Sequence, residues 1–146
     1  MDMEWGRPED SPPDLTVEGD DAALARAVGA APPGVLVAFA PAADSDLARA
    51  VGLRAGASRR GLALPMDALE LADGSLAVNA VVLGPPPDRL TALGGAVDLV
   101  LSLVGREETV EAATTVVVAT GQWLRGLDVV PRGHPGDGRA EAQAYR

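Results

Sequence analysis

Cysteine is absent from the chain, which excludes disulfide cross-links and thiolate metal sites and leaves the redox compartment open. Aromatic residues make up only 3% of the sequence, so the interior has to be assembled from valine, leucine and alanine without large rings as anchors. Histidine occurs once, at His134, and without cysteines beside it there are too few ligands for a zinc-type metal site. No apolar run reaches the ~18 residues that suggest a membrane-crossing helix. The opening residues, MDMEWGRPEDSPPD, are acidic and polar, unlike a secretory leader. The expectation is a cytoplasmic protein with no membrane span. Positive charge is also scarce: 12 Lys plus Arg stand against 21 Asp plus Glu, a formal net charge of −9. That balance argues against nucleic acid and anionic membrane surfaces as partners, because both attract a positive field. The one dense basic cluster, Arg54 with Arg59 and Arg60, reads as a solvated linker.

What is present is 47% hydrophobic in 146 residues, enough for one domain with a real core. Residues 1–13 lack periodicity and read as a disordered tail in which Trp5 is the one apolar feature. Leu15–Glu18 alternates like a short strand. Ala23–Val28 has helical spacing with an acidic start and Gly29 as its stop. Val35–Ala40 is a continuous apolar run of the kind found in buried parallel strands. A second helix is expected over Asp44–Val51, with Asp44 as its N-cap and Gly52 closing it. Leu24–Gly29 and Leu47–Gly52 are both LARAVG, which marks two similar amphipathic helices, since a repeat architecture needs more copies.

From Leu62 onward the pattern turns to β. Leu62–Leu71 and Ser75–Leu83 flank Ala72-Asp73-Gly74, a hairpin signal, with Leu76, Val78, Ala80 and Val82 on one face. Gly84-Pro85-Pro86-Pro87 is a rigid break. Leu90–Ala96 is ambiguous, and Val97–Val104 returns through Gly105–Glu108 into Thr109–Ala119. The fold class expected is α+β: a short strand-helix-strand-helix segment over 14–55, then a mostly antiparallel, sandwich-like lobe over 61–146.

Between Thr109–Ala119 and the last strand-like run, Arg139–Arg146, lies Thr120–Glu141, dense in glycine and proline. Such a concentration specifies one loop shape, and shaped polar loops on β scaffolds are where function commonly sits. The loop holds His134 beside Arg132, Asp137 and Glu141. No Gly-x-Ser-x-Gly elbow is present to use His134 as a base, which favours a structural histidine hydrogen-bonded within the loop. Pro135-Gly136-Asp137-Gly138 is chemically suited to a tight turn, and Asp137 also has the carboxylate a general base requires.

Thr120-Gly121-Gln122-Trp123-Leu124 followed by Pro131–Gly138 (PRGHPGDG) resembles the late signature of the diacylglycerol kinase family, within the NAD kinase-like and sphingosine kinase-like superfamily. There, a strand ending near Asn-Gly leads through a Gly-rich turn to Pro-x-Ala/Gly-x-Pro-x-Asp-Gly and a final strand. The resemblance implies a lipid hydroxyl attacking the γ-phosphate of ATP in a cleft between two lobes, with Mg²⁺ neutralising charge. Asp137 would help activate the hydroxyl, and Glu141 falls at a position that is often acidic. The nucleotide site would include Gly19, Asp20, Asp46 and Asn79. Family members run to roughly twice this length, each lobe of ordinary domain size, so this chain would be a truncated form.

The upstream motifs depart from the family. Where it has Gly-Gly-Asp-Gly-Thr, this chain has Glu18-Gly19-Asp20-Asp21-Ala22. Glu18 and Asp21 would set carboxylates against phosphate, costing on the order of several kcal/mol without a metal between them. Where the family has Gly-Thr-x-Asn-Asp, this chain has Pro41-Ala42-Ala43-Asp44-Ser45-Asp46, keeping Asp46, Leu47, Ala48 and Arg49. The expectation is a catalytically degenerate lipid kinase-like protein that takes no cofactor. It would act by binding a small molecule or a protein partner, or by forming a homodimer that covers open sheet edges. The alternative is an active kinase using ATP and Mg²⁺ with Asp20, Asp46 and Asp137.

Overall fold

A computed structural model of the chain describes residues 7–8, 10–32, 34–54, 62–85, 97–103, 106–113 and 115–145. It is an α+β fold with two helices among the described residues and mainly antiparallel sheets that close no barrel. The elements are β1 (Arg7–Pro8), β2 (Leu15–Gly19), α1 (Asp21–Ala30), β3 (Val37–Pro41), α2 (Asp46–Ala50), β4 (Leu62–Ala63), β5 (Ala68–Glu70) and β6 (Leu76–Val78). There follow β7 (Ala80–Leu83), β8 (Val97–Leu103), β9 (Arg106–Ala113), β10 (Thr115–Ala119), β11 (Trp123–Leu124), β12 (Leu127–Asp128) and β13 (Glu141–Tyr145).

β2 and β3 run parallel, with Val17 opposite Phe39, and α1 is the crossover between them. α1 begins at Asp21, two residues before the expected start, because Asp20 caps it: its Oδ1 accepts the Ala23 N–H at 2.7 Å. It also runs through Gly29 to Ala30. The stop comes from Ala31, whose extended φ −93°, ψ 152° is what a residue preceding Pro32 must adopt. β3 starts two residues later than expected and is half-buried along most of its length.

The second helix is shorter than expected, and its N-cap is Ser45, correcting the assignment to Asp44. Ser45 Oγ accepts the Ala48 N–H at 3.0 Å, while Asp44 lies exposed in the preceding turn. Gly52, at φ +70°, ends the helix, with the Leu53 N–H reaching the Ala48 carbonyl at 2.7 Å.

The expected hairpin forms as β5 against β6, with Leu69 opposite Ala77. The run Leu76–Leu83 is not one strand, however. Asn79 takes a left-handed φ of +73° and splits it into β6 and β7, which pair in different sheets. β10 is the centre of the three-stranded sheet β13-β10-β7, antiparallel to both neighbours. β8 pairs with β9, so the run expected over Thr109–Ala119 is divided between β9 and β10.

Two hydrophobic clusters result. Val17, Leu24, Ala25, Leu47 and Val78 form one, joining β2, both helices and β6. Val117, Ala119, Val129 and Val130 form the other, with Ala80, Val82 and Tyr145 packed against it. The kink at Asn79 therefore lets one apolar run serve two cores. Val78 belongs to the cluster of the strand-helix segment although it lies in the sheet-rich part, so packing crosses the expected 55/61 boundary.

Within the expected tail, Arg7–Pro8 pairs with Leu62–Ala63, and just after it Asp14 Oδ2 accepts the Leu36 N–H at 2.9 Å. Trp5, Arg59, Arg60, Pro86, Pro87 and residues 90–96 lie outside the described residues. No helix among the described residues is long and apolar enough to cross a membrane.

Candidate functional site

The segment Glu18–Ala22 sits where β2 delivers the chain into α1. Gly19 holds φ +133°, its carbonyl accepts the Ala42 N–H at 2.6 Å, and a Cβ there would lie 3.1 Å from that of Ala23. Glycine is required on both counts. Asp20 is consumed by the cap of α1. Asp21 turns toward the other helix, where its Oδ1 accepts the Ser45 hydroxyl at 2.5 Å and its Oδ2 the Leu47 N–H at 3.0 Å. One N–H group at the start of each helix is thus met by a carboxylate of the chain itself, that of Ala23 by Asp20 and that of Leu47 by Asp21.

Burial pushes the Asp21 pKa above its ordinary 3.8, the hydrogen bonds from Ser45 and Leu47 pull it down, and the charge of Asp46 pushes it up again. The sign of the linkage follows. A carboxyl that holds its proton more tightly when folded contributes stability at low pH, and loses it as pH rises from 3.8 through the folded-state value. Comparing wild type with Asp21→Asn by urea denaturation from pH 3.5 to 7, the difference is expected to move in the variant's favour as pH rises. A constant difference would show that burial does not control this carboxyl.

Asp46 is only 7% exposed and accepts the backbone N–H groups of Arg125 and of Gly126, the latter at 2.9 Å. These two residues form the turn between β11 and β12, at φ +50° and +76°. One buried carboxylate therefore fastens α2 to a turn 79 residues away. Arg49, one helical turn on, lies 3.8 Å from Asp46 and 5.7 Å above the Trp123 ring centroid.

Asn79 is 3% exposed; its Nδ2 donates to the Trp123 carbonyl at 2.8 Å and its own carbonyl accepts the Thr120 and Gly121 N–H groups at 2.9 and 3.2 Å. Its Oδ1 is buried without a partner.

The loop after Val130 is held from the side by the segment 65–67. Asp67 N–H donates to the Pro135 carbonyl at 2.7 Å, and its Oδ2 accepts the Gly138 N–H at 2.8 Å. Asp137 is exposed and closes an Asx turn onto the Arg139 N–H at 2.9 Å. His134 is half-buried, and its Nδ1 accepts the Gly136 N–H at 3.2 Å, a hydrogen bond within the loop. Glu141 is exposed at the start of β13, paired in register with Ala119.

No family model, curated protein or solved structure matches this chain. Its chemistry rests on its own geometry. Asp46 and Asn79 converge on the 120–126 turn, while Gly19 and Asp20 lie at the mouth of α1, Asp137 lies in its own exposed turn and Glu141 at the exposed start of β13. Among the described residues no three acidic or histidine side chains come together as a metal-holding group. Both Asp46 oxygens accept backbone N–H groups, and one N–H group at the start of each helix is already bound to a carboxylate of the chain.

Sequence reasoning missed the Asp21–Ser45 link and the partners of Asp46, which span 24 and 79 residues. Ser45 did carry a local signal, a small hydroxyl residue just before Asp46 in the first helical turn. Asp21 carried none.

Proposed function

We propose that this chain is a lipid kinase-like protein without phosphotransfer activity, working by holding a small ligand or a protein partner. One observation supports this most directly. Four donors of the kind a phosphate loop would present, one at the N-terminus of α1, one at that of α2 and two in the turn after β11, are occupied by Asp20, Asp21 and Asp46. A triphosphate entering there would have to displace carboxylates from hydrogen bonds they already make and sit beside their charge. Asp137, at the position of a general base, spends one oxygen on its own turn. A second copy of the chain is one candidate partner: β2 and β3 pair only with each other among the described residues, which leaves their outer edges for further strands.

Calorimetric titration with Mg²⁺-ATP tests the proposal. No heat beyond dilution is expected up to millimolar nucleotide. Micromolar binding that requires Mg²⁺ would make the chain a working kinase candidate and sink the degenerate reading.

A further inference from the structure

Gly121, Gly133 and Gly136 lack a positive φ and stand where the chain presses against itself, so closeness rather than conformation demands glycine there. A Cβ on Gly136 would run into the Pro65 carbonyl oxygen. One on Gly133 would lie 3.0 Å from the Gly121 carbonyl carbon and oxygen and from Val130 Cγ1, and one on Gly121 would meet the Asn79 side chain. The segment 65–67, the 131–138 loop, the 120–126 turn and Asn79 are therefore stacked in that order. Hydrogen bonds tie the layers together. At the outer end the Asp67 N–H donates to the Pro135 carbonyl and Asp67 Oδ2 accepts the Gly138 N–H. In the middle the Gln122 carbonyl accepts the Val129 and Val130 N–H groups at 3.1 and 3.2 Å, and the Val130 carbonyl accepts the Gly133 N–H at 2.9 Å. At the inner end the Asp46 carboxylate holds the Arg125 and Gly126 N–H groups.

From this geometry we infer that the 131–138 loop and α2 are the two ends of one mechanical relay, so that seating of the loop on Asp67 sets how firmly Asp46 holds the 125–126 turn. Where backbone rests on backbone, no side chain intervenes whose rotamer could absorb a shift, and close-packed interiors pass such shifts on. The Asn79 side chain is itself pinned, being buried and bound to the Trp123 carbonyl. A ligand or partner that lifts the loop by its exposed Arg132 or Asp137 would loosen the tether on α2. One that draws Asp46 away from the turn would be felt in turn at His134 and Asp137. The inference goes beyond the function proposed above and does not depend on kinship with lipid kinases: ATP binding would overturn that proposal and leave this one standing.

The test is amide hydrogen exchange of the ¹⁵N-labelled full chain, comparing wild type with Asp67→Ala and Asp46→Asn. The amides of the central strand β10 report global opening, so that its contribution can be removed. Asp67→Ala takes the acceptor from Gly138 at the outer end only. It is expected to speed exchange about threefold at Arg125 and Gly126, a transmitted share of the hydrogen bond lost, and to leave the Ala23 amide at the start of α1 unchanged. Because coupling is reciprocal, Asp46→Asn is expected to speed exchange at Gly136 and Gly138 by a similar factor. Exchange that changes only within 65–67 and 131–138 in Asp67→Ala, acceleration shared equally by Ala23, or a response in one direction without the other would each overturn the inference.

Discussion

Asp46→Ala is expected to lower folding stability by about 3 kcal/mol, read as a fall in the urea midpoint at unchanged slope. The carboxylate is 7% exposed and receives two backbone N–H groups from the 125–126 turn. Removing it takes a charged acceptor from both N–H groups, and a hydrogen bond to a charged group contributes about 1.5–3 kcal/mol. Part of that loss is offset, because the variant no longer desolvates a charge on folding. For a domain of 146 residues the melting temperature is expected to drop by about 10 °C. The ion pair with Arg49 is not what makes the residue matter. It is 3.8 Å long with the arginine side chain 45% exposed, so Arg49→Ala is expected to cost less than about 1 kcal/mol. Asp46→Asn separates the two contributions: one amide oxygen still accepts an N–H while the amide nitrogen faces the other, and about half of the alanine effect is expected. Asp44→Ala, two residues away in an exposed turn, is the control and is expected to leave the midpoint unchanged. A midpoint for Asp46→Ala equal to that of the control would mean the tether between α2 and the turn carries no stability.

The same residues show how far the sequence could be read. Element types were legible where the pattern is local: the strand at Leu15, the helical spacing of ALARAV, the Asp-Gly hairpin and the closing role of Gly52 all follow from turn chemistry and periodicity within a few residues. Boundaries slipped where a side chain decided them. Asp20 moved the start of α1 back by accepting the Ala23 N–H, and Ser45 rather than Asp44 capped α2, because a carboxylate from elsewhere, Asp21, was available to hold its hydroxyl. The split at Asn79 was hidden for a different reason. The alternation of Leu76, Val78, Ala80 and Val82 is unbroken in the sequence, and only the arrival of the 120–123 turn makes a left-handed asparagine worth its strain. Asp20 and Asp46 were singled out for chemistry toward a ligand, and in the structure they hold backbone N–H groups.

Gly121→Ala tests that asparagine directly, with an expected loss above about 3 kcal/mol. A Cβ on Gly121 would fall 2.1 Å from Asn79 Oδ1 and 3.3 Å from its Cγ. Asn79 has little room to withdraw, since it is 3% exposed, its Nδ2 is bound to the Trp123 carbonyl at 2.8 Å and its backbone carbonyl takes the N–H groups of Thr120 and Gly121. The loss would come from collision rather than from backbone strain, because Gly121 is not among the glycines with positive φ. Gly74→Ala supplies the contrast: it has φ +79° but open space around its Cβ, so its cost is the strain alone, about 1 kcal/mol. A double-mutant cycle then isolates the contact. Asn79→Gly keeps a residue at ease with φ +73° and removes the obstructing oxygen, at the cost of the hydrogen bond to Trp123. With that oxygen gone, the nearest remaining neighbour of the new methyl is the Ala50 Cβ at 3.8 Å, an ordinary contact. The double variant is therefore expected to be more stable than the sum of the single losses implies, by at least about 1 kcal/mol. Strict additivity would mean that the two residues do not meet, and that Asn79 Oδ1 does not point at Gly121 in solution.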